Sequence, residues 1–218
     1  MRRAVFLDRD GTINAMVYNP DFGLVDSPAN PNDLQLLPGA GNAIRMINRS
    51  GLLAVVISNQ PGIAKSRFTL SLLEATTAKL CNELSKVDAY LDAFYYCLHH
   101  PQSIIAEYRS ECDCRKPKPG LLRNAAQDLD IELEKSYMVG DGITDVLAGK
   151  AVGCTTFFLN SRKCYNCLEF ARHNMQFDYI VSSLTEAVQI IQKLEAGAGN
   201  ERFEGASSWV TLHNISKK

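Results

Sequence analysis

Short apolar runs alternate with helical patterns along most of the 218-residue chain, and this alternation limits the fold more than any other feature. The run LLAVVISN at 52–59 is continuous and rich in β-branched residues, as expected of a strand buried on both faces. We predict further strands at 4–8, 93–97, 136–141, 155–160 and 178–183, and helices at 39–50, 71–87, 120–130, 143–152 and 184–197. Such alternation predicts an α/β protein with a mainly parallel central sheet and helices on both faces.

The composition excludes several classes of function. Hydrophobic residues make up 46% of the chain, which is enough for one sizeable core. The formal net charge of -1 lacks the basic field of nucleic-acid binders. No apolar run approaches the roughly 20 residues of a membrane span, and the N-terminus lacks a signal-peptide pattern. We therefore expect a cytoplasmic monomer with neither a nucleic-acid nor a membrane partner.

The segments between the periodic elements predict the domain organisation. Residues 1–196 are expected to form a single domain. Within it, 15–38 is rich in Asn, Asp and Pro and is predicted to be a loop that forms a partial lid. Residues 98–119 show no helical or strand pattern and hold a cluster of cysteine and histidine. The last residues, 197–218, are predicted to form a flexible tail.

Two carboxylates follow the first predicted strand. Asp8 and Asp10, in AVFLDRDGTIN, share one face of the chain, where like charges repel unless a cation or a proton intervenes. A solvated turn is the alternative interpretation, because Asp-Gly pairs are common in turns. Ser58 and Asp141 stand at the ends of two other predicted strands, and parallel sheets bind ligands beyond these ends. We therefore expect Asp8, Ser58 and Asp141 to converge on one site, which disfavours the solvated turn.

Hydrolysis of a phosphate monoester is a chemistry that these residues fit. Asp8 is the candidate nucleophile, and Asp10 can protonate the leaving oxygen and then deprotonate water. A carboxylate that attacks a dianion needs a metal, and Mg²⁺ favours carboxylate, carbonyl and water ligands. The supporting candidates are Asp141 and Asp145 as further carboxylates, Thr12 beside the aspartates, Ser58 and the amide of Asn59 as donors to phosphoryl oxygens, and Lys116 as fixed positive charge.

Four segments resemble the motifs of the haloacid dehalogenase (HAD) superfamily, in its aspartate-nucleophile phosphatase branch. They are FLDRDGT, VISNQ, RKPKPG and VGDGITD, and they stand in the family's order. The resemblance implies a Rossmann-like fold without a large cap domain. It also implies that Asp8, the carbonyl of Asp10 and Asp141 hold Mg²⁺, with Asp145 as an indirect partner. Lys116, rather than Lys118, matches the family lysine. The candidates for substrate binding are Thr12, Asn59, Gln60 and Arg115.

A group of three cysteines and one histidine has the composition of a structural zinc site. The four candidate ligands are Cys97, His99, Cys112 and Cys114. The C-x-H spacing favours this histidine over His100, and unrelated buried thiols are the alternative. The cluster ends directly before Arg115 and Lys116, so a zinc-held loop would fix both side chains near the phosphate site. We interpret Cys164 and Cys167 as incidental thiols, because no nearby Cys/His pair completes a second site.

The sequence of the predicted zinc loop indicates which family within the superfamily the chain resembles. YYCLHHP followed by CDCRKPKPG is similar to the pattern of the D-glycero-D-manno-heptose-1,7-bisphosphate 7-phosphatases. Histidinol-phosphate phosphatases share the four ligands but have a shorter loop than the twelve residues between His99 and Cys112. Two features depart from the heptose family: the length of 15–38, and Gly142, where the heptose enzymes often carry lysine.

The resemblance therefore implies removal of the 7-phosphate from a heptose bisphosphate. Three alternatives stay open from the sequence. One is a phosphatase for histidinol phosphate or another small phosphosugar. The second is a sugar-phosphate sensor, which the intact Asp8 and Asp10 disfavour because a binding protein does not need a nucleophile. The third is a phosphatase that processes nucleic-acid ends, which the near-neutral charge disfavours.

Overall fold

A computed structural model describes residues 1–20, 23–159 and 177–197 of the chain. Its strands are Ala4–Leu7 (β1), Val17–Asn19 (β2), Leu24–Asp26 (β3), Leu53–Asn59 (β4), Ala93–Cys97 (β5), Tyr137–Gly140 (β6), Thr155–Leu159 (β7) and Tyr179–Val181 (β8). The described helices are Ala40–Arg49 (α1), Leu70–Ser85 (α2), Gly120–Leu129 (α3), Ile143–Lys150 (α4) and Leu184–Glu195 (α5). Six strands form one sheet in the order β5-β4-β1-β6-β7-β8, and all neighbours in it are parallel.

Alternate residues of the central strand face opposite layers of the protein. In β1, Val5 and Leu7 belong to a core with α1, α2 and α5, whereas Ala4 and Phe6 belong to a second core with α3 and α4. All four side chains are completely buried. This two-sided burial explains why the strands are continuous apolar runs. The predicted fold class, a parallel sheet covered on both faces, is confirmed.

The register of the sheet brings three strand ends to one edge. Leu7 of β1 lies opposite Val56 of β4 and also opposite Val139 of β6. The residues that follow these positions therefore leave the sheet side by side. Asp8 and Asp141 come directly after β1 and β6, and Ser58 is the penultimate residue of β4.

The segment 15–38 is not the simple loop that the sequence predicts. Strands β2 and β3 pair as an antiparallel hairpin, in which Tyr18 lies opposite Val25, and a 3-10 turn follows at Pro31–Asp33. Each strand has only three residues, which is too short for an alternating pattern to be recognised in the sequence. Residues 98–119 contain one 3-10 turn, Ala106–Tyr108, and otherwise no regular element, as predicted.

Two predictions fall on residues outside the described part of the chain. Cys164 and Cys167 lie there, and so does the predicted tail 197–218 except for Gly197. The boundary at residue 196 therefore stays a prediction. Among the described helices, none is long and apolar enough to cross a membrane.

Candidate active site

A buried lysine joins three segments at the carboxyl edge of the sheet. Lys116 Nζ lies 2.9 Å from Asp8 Oδ1 and 2.5 Å from Asp145 Oδ1, and it donates a third bond of 2.8 Å to the carbonyl of Ile57. Burial alone would lower the pKa of this ammonium, but the two carboxylates raise it above its usual value. Lys116 is therefore held as a cation. Lys118, the competing lysine, is half exposed and pairs with Asp113 instead.

Two of three clustered carboxylates contact this ammonium. Oxygen atoms of Asp8, Asp141 and Asp145 all lie within 4.8 Å of one another. Burial raises the pKa of Asp145 to about 7, and the charges of Asp8 and Asp141 add to this effect while Lys116 opposes it. The three carboxylates outnumber the one ammonium that contacts Asp8 and Asp145. A divalent cation that prefers oxygen ligands, such as Mg²⁺, fits this cluster of carboxylate oxygens.

Two glycines allow the carboxylates to approach so closely. Gly11 has a φ of +93°, and a Cβ built on it would lie 2.1 Å from Asp141 Oδ2. A Cβ on Gly140 would lie 2.3 Å from Asp145 Cγ. Glycine at both positions is thus a condition for the carboxylate cluster, and it explains why the Gly of the DRDGT motif follows the second aspartate.

Asp10 lies in a separate, buried network of hydrogen bonds. Its Oδ1 accepts from Asn14 Nδ2 at 2.9 Å, and its Oδ2 accepts from Gln60 Nε2 at 2.7 Å and from Ser27 Oγ at 2.9 Å. Arg9 donates to both oxygens at 3.1 and 3.2 Å. Burial alone would raise the pKa of Asp10, but the charge of Arg9 and these hydrogen bonds lower it overall. Asp10 is therefore a stabilised carboxylate.

Arg9 is fully buried beneath this network. Burial would lower the pKa of its guanidinium, but Asp10 raises it above its usual value. The guanidinium lies 5.7 Å from the centre of the Tyr96 ring and donates to Gln60 Oε1 at 3.2 Å. Gln60 also donates to Ser58 Oγ at 3.1 Å. The side chains of Ser58 and Gln60 are thus placed beside Asp10, and the Gln60 amide is bound within the protein.

Two further predicted residues have contrasting surroundings. The side chain of Asn59 is bound to the main chain of Lys116 by two hydrogen bonds of 3.0 Å. Thr12 is fully buried, and its Oγ1 makes no hydrogen bond within the described part of the chain. Its hydroxyl therefore keeps its bonding capacity, whereas the Asn59 amide already holds the Lys116 main chain.

The four predicted zinc ligands are gathered into one cluster. The ligand atoms of Cys97, His99, Cys112 and Cys114 lie within 4.8 Å of one another. Cys114 Sγ is 3.2 Å from Cys97 Sγ, 3.1 Å from Cys112 Sγ and 3.3 Å from His99 Nδ1. His100 is turned elsewhere, because its ring accepts a hydrogen bond from the main chain of Gln102. A cluster of three sulfurs and one imidazole nitrogen has the donor set of a tetrahedral, structural Zn²⁺ site.

Cationic side chains gather beside this cluster. Burial lowers the pKa of Lys65, and the charges of Arg67 and Arg115 lower it further. Burial also lowers the pKa of His100, with contributions from Arg115 and Lys65. Asp26, at the end of the β2–β3 hairpin, forms an ion pair with Arg67. We call Lys65, Arg67 and Arg115 the cationic group; the lowered pKa of His100 favours its neutral form, so His100 is not counted among the cations.

Three residues that bind Asp10 have no predicted role from the sequence. Arg9 looks like a surface residue in the sequence, although its position between two aspartates was a signal for an ion pair. Asn14 follows Asp10 by four residues, a spacing that gave no signal without a helix. Ser27 reaches Asp10 only because the β2–β3 hairpin folds back, and no local pattern records this contact.

The parallel sheet, with its carboxylate cluster and lysine at the carboxyl edge, is the arrangement of HAD-like hydrolases. The HAD-hydrolase-like family profile matches residues 113–187. A crystal structure of the D,D-heptose 1,7-bisphosphate phosphatase from B. bronchiseptica, complexed with magnesium and phosphate, superposes with a TM-score of 0.72 at 26% identity and covers 88% of this chain and 99% of its own. Phosphatases of this class use Mg²⁺.

Curated relatives define the family within this class. The D-glycero-beta-D-manno-heptose-1,7-bisphosphate 7-phosphatase of Escherichia coli strain K12 is 38% identical over 197 residues, which are 89% of this chain and 96% of the relative. The enzyme of the same name from Pasteurella multocida is 34% identical and covered completely. The chain therefore belongs to the family of heptose-1,7-bisphosphate 7-phosphatases and is a phosphoric monoester hydrolase. The predicted enzyme class and the resemblance are confirmed.

Replacing Gly11 by alanine tests whether the carboxylate cluster needs this close approach. The new Cβ would overlap the Asp141 carboxylate, so Asp141 must move and phosphatase activity should fall by about 10²-fold. Gly51→Ala is the matched control, because Gly51 also has a positive φ, +76°, with nothing within 4 Å of the added Cβ. The control variant should lose roughly 1–2 kcal/mol of its free energy of unfolding and keep its phosphatase activity. Equal activity of the two variants would contradict the argument.

Proposed function

We propose that the chain removes the 7-phosphate of a D-glycero-D-manno-heptose 1,7-bisphosphate, with Asp8 as the nucleophile. The observation that carries the proposal is the ion pair between Lys116 and Asp8, inside the cluster of three carboxylates. This pair holds one Asp8 oxygen in place at the carboxyl edge of the sheet. The names of the relatives at 34–38% identity support the substrate.

Two steps of phosphoryl transfer follow from this arrangement. A carboxylate oxygen of Asp8 attacks phosphorus, the bond to the sugar oxygen breaks, and Asp10 gives that oxygen a proton. Asp10 then takes a proton from water, which attacks the aspartyl-phosphate and releases inorganic phosphate. The hydrogen-bonded carboxylate form of Asp10 suits the second step. The first step needs protonated Asp10, and release of its Ser27 hydrogen bond would favour that form.

A magnesium ion would be held by Asp8, Asp141 and the main-chain carbonyl of Asp10, with Asp145 close by. When bound, it supplies positive charge that offsets the repulsion between the Asp8 carboxylate and the phosphate dianion. Lys116, which forms ion pairs with Asp8 and Asp145, provides the second, fixed positive charge. Ser58 and the buried hydroxyl of Thr12 are the proposed donors to phosphoryl oxygens.

A structural zinc ion is the proposed occupant of the cysteine and histidine cluster. Four protein ligands leave no open position, so the metal would hold the loop rather than take part in the reaction. The loop ends at Cys114, and Arg115 donates from Nη1 to the His99 carbonyl at 3.3 Å. The zinc-held loop would therefore present Arg115 and Lys116 together.

The cationic group favours a substrate with two phosphates. The 7-phosphate is bound to a primary carbon, so it can reach Asp8 while the ring and the second phosphate stay outside. Lys65 and Arg115 lie near one another beside the zinc loop, and a second phosphate would compensate their charge. Histidinol phosphate carries an ammonium group at its other end, which this group of cations would repel. This difference in charge favours the heptose substrate over histidinol phosphate.

The substrate proposal predicts a preference that depends on Arg115. Wild type should have a higher kcat/KM for the heptose 1,7-bisphosphate than for histidinol phosphate. Arg115→Ala removes a planar partner for phosphate, worth about 2–5 kcal/mol, so kcat/KM for the bisphosphate should fall by roughly thirtyfold or more. Monophosphates that lack the second anion should lose much less. The measurement is phosphate release from both substrates and from a nucleotide monophosphate.

Arg123→Ala is the control for this experiment, because Arg123 is an exposed residue of α3 outside the site. It should leave all three rates unchanged. Selectivity of the wild type for histidinol phosphate would overturn the substrate while leaving the reaction itself intact. An equal loss on all substrates with Arg115→Ala would show that Arg115 does not bind the second phosphate.

The zinc proposal predicts one equivalent of Zn²⁺ in protein purified without chelator. Cys112→Ser should lower the zinc content and reduce activity through the position of Arg115 and Lys116, because a structural site depends on all four ligands. Cys81→Ser, at an exposed cysteine outside the cluster, should change neither quantity. Metal analysis and phosphate release on both variants test this. Full activity after loss of the metal would contradict the structural role.

A further inference from the structure

The side chain of Asn59 holds the main chain of Lys116 on both sides of its Cα atom. Asn59 Nδ2 donates to the Lys116 carbonyl at 3.0 Å, and the Lys116 main-chain N–H donates to Asn59 Oδ1 at 3.0 Å. The two residues are 57 positions apart in the chain. One N–H and one oxygen lone pair of the Asn59 amide are therefore used to hold this one partner.

The position of the Lys116 main chain decides where its ammonium lies. The ammonium makes all of its three contacts inside a buried site, with Asp8, Asp145 and the Ile57 carbonyl. A lysine side chain has a flexible stem of four carbons, so its charged end is fixed only when both ends of the stem are held. The carboxylates and the carbonyl hold one end, and Asn59 holds the other.

Asn59 also lies between the two ends of the zinc loop. It is the last residue of β4 and pairs in register with Cys97 of β5, and the next residue, Gln60, donates its main-chain N–H to the Cys97 carbonyl at 2.7 Å. Lys116 follows Cys114 by two residues at the other end of the loop. The strand is thus bound to both ends of the loop through Asn59 and its neighbour.

We infer that Asn59 is a positioning residue: it sets the Lys116 ammonium against the Asp8 nucleophile by binding the Lys116 main chain. This role differs from the substrate contact that the sequence predicts for Asn59. It rests on the proposed function of Lys116 in the phosphatase reaction. It also assigns the placement of Lys116 to β4 and not only to the zinc ligands.

A second asparagine supplies a matched control. Asn48 Nδ2 donates to the Tyr90 carbonyl at 3.0 Å, and the Tyr90 main-chain N–H donates to Asn48 Oδ1 at 3.0 Å. The pair of hydrogen bonds is the same as that of Asn59, but it lies at the end of α1, away from the carboxylates. Asn48→Ala therefore measures what losing such a pair costs the fold without affecting the site.

The test is a double-mutant cycle between Asn59 and Lys116. The variants are Asn59→Ala, Lys116→Met and the double variant, with kcat and KM measured on p-nitrophenyl phosphate, whose coloured product reveals low residual rates. Asn59→Ala should lower kcat by about 10²-fold with little change in KM, because a displaced catalytic group loses rate rather than affinity. In the Lys116→Met background, the same change should have almost no further effect. Zinc content should match that of wild type.

Other outcomes separate the inference from the proposed function. If Lys116→Met keeps wild-type kcat, the role of Lys116 fails and the inference fails with it. Two other results would overturn only the inference, provided that Lys116→Met strongly lowers kcat. One is that Asn59→Ala lowers kcat equally in the wild-type and Lys116→Met backgrounds. The other is that Asn59→Ala lowers kcat no more than Asn48→Ala does. Loss of zinc in Asn59→Ala would also overturn it. Asn59→Asp keeps the acceptor for the Lys116 N–H, so it should give an intermediate kcat and serves if the alanine variant does not fold.

Discussion

The charge of Lys116 is the constraint on which the site depends. A buried ammonium needs compensation, and here two carboxylates and one carbonyl provide it from the ends of β1, β4 and α4. Removing one partner of such a pair costs about 3–5 kcal/mol, because the other charge stays buried without a partner. The strands, the loop after Cys114 and the first turn of α4 must therefore keep their relative positions. This requirement links the order of the sheet to the chemistry at its edge.

Two aspartates in one motif acquire different properties from their surroundings. Asp8 faces Lys116 and the other carboxylates, where a bound divalent cation would offset their mutual repulsion. Asp10 is bound by Arg9, Asn14 and neighbouring donors, which lower its pKa despite burial. When two carboxylates have different surroundings, one can serve as a nucleophile and the other can carry a proton. The residue between them is part of this arrangement, because Arg9 is the buried cation that stabilises Asp10.

Local sequence patterns predicted most of the strands and helices and the edge of the sheet that holds the site. Contacts between segments that are distant in sequence were harder to predict. The apolar run of β4 and the aspartates after β1 and β6 indicated the sheet and the position of its binding edge, since strand ends in a parallel sheet must meet. The hairpin of β2 and β3 was not predicted, because strands of three residues are too short to show an alternating hydrophobic pattern. Ser27 and the bonds of Asn59 to Lys116 also left no local signal, because they depend on which way a side chain turns after the chain has folded.

The central claim is that the reaction passes through a phosphate bound covalently to Asp8. Wild-type enzyme with Mg²⁺ and a phosphomonoester, quenched in acid, should carry an added phosphate that peptide mass spectrometry locates on the Asp8 carboxylate. Asp8→Asn should fold, carry no phosphate and have no turnover. Comparable turnover in folded Asp8→Asn, or a phosphate on any other residue, would contradict the account.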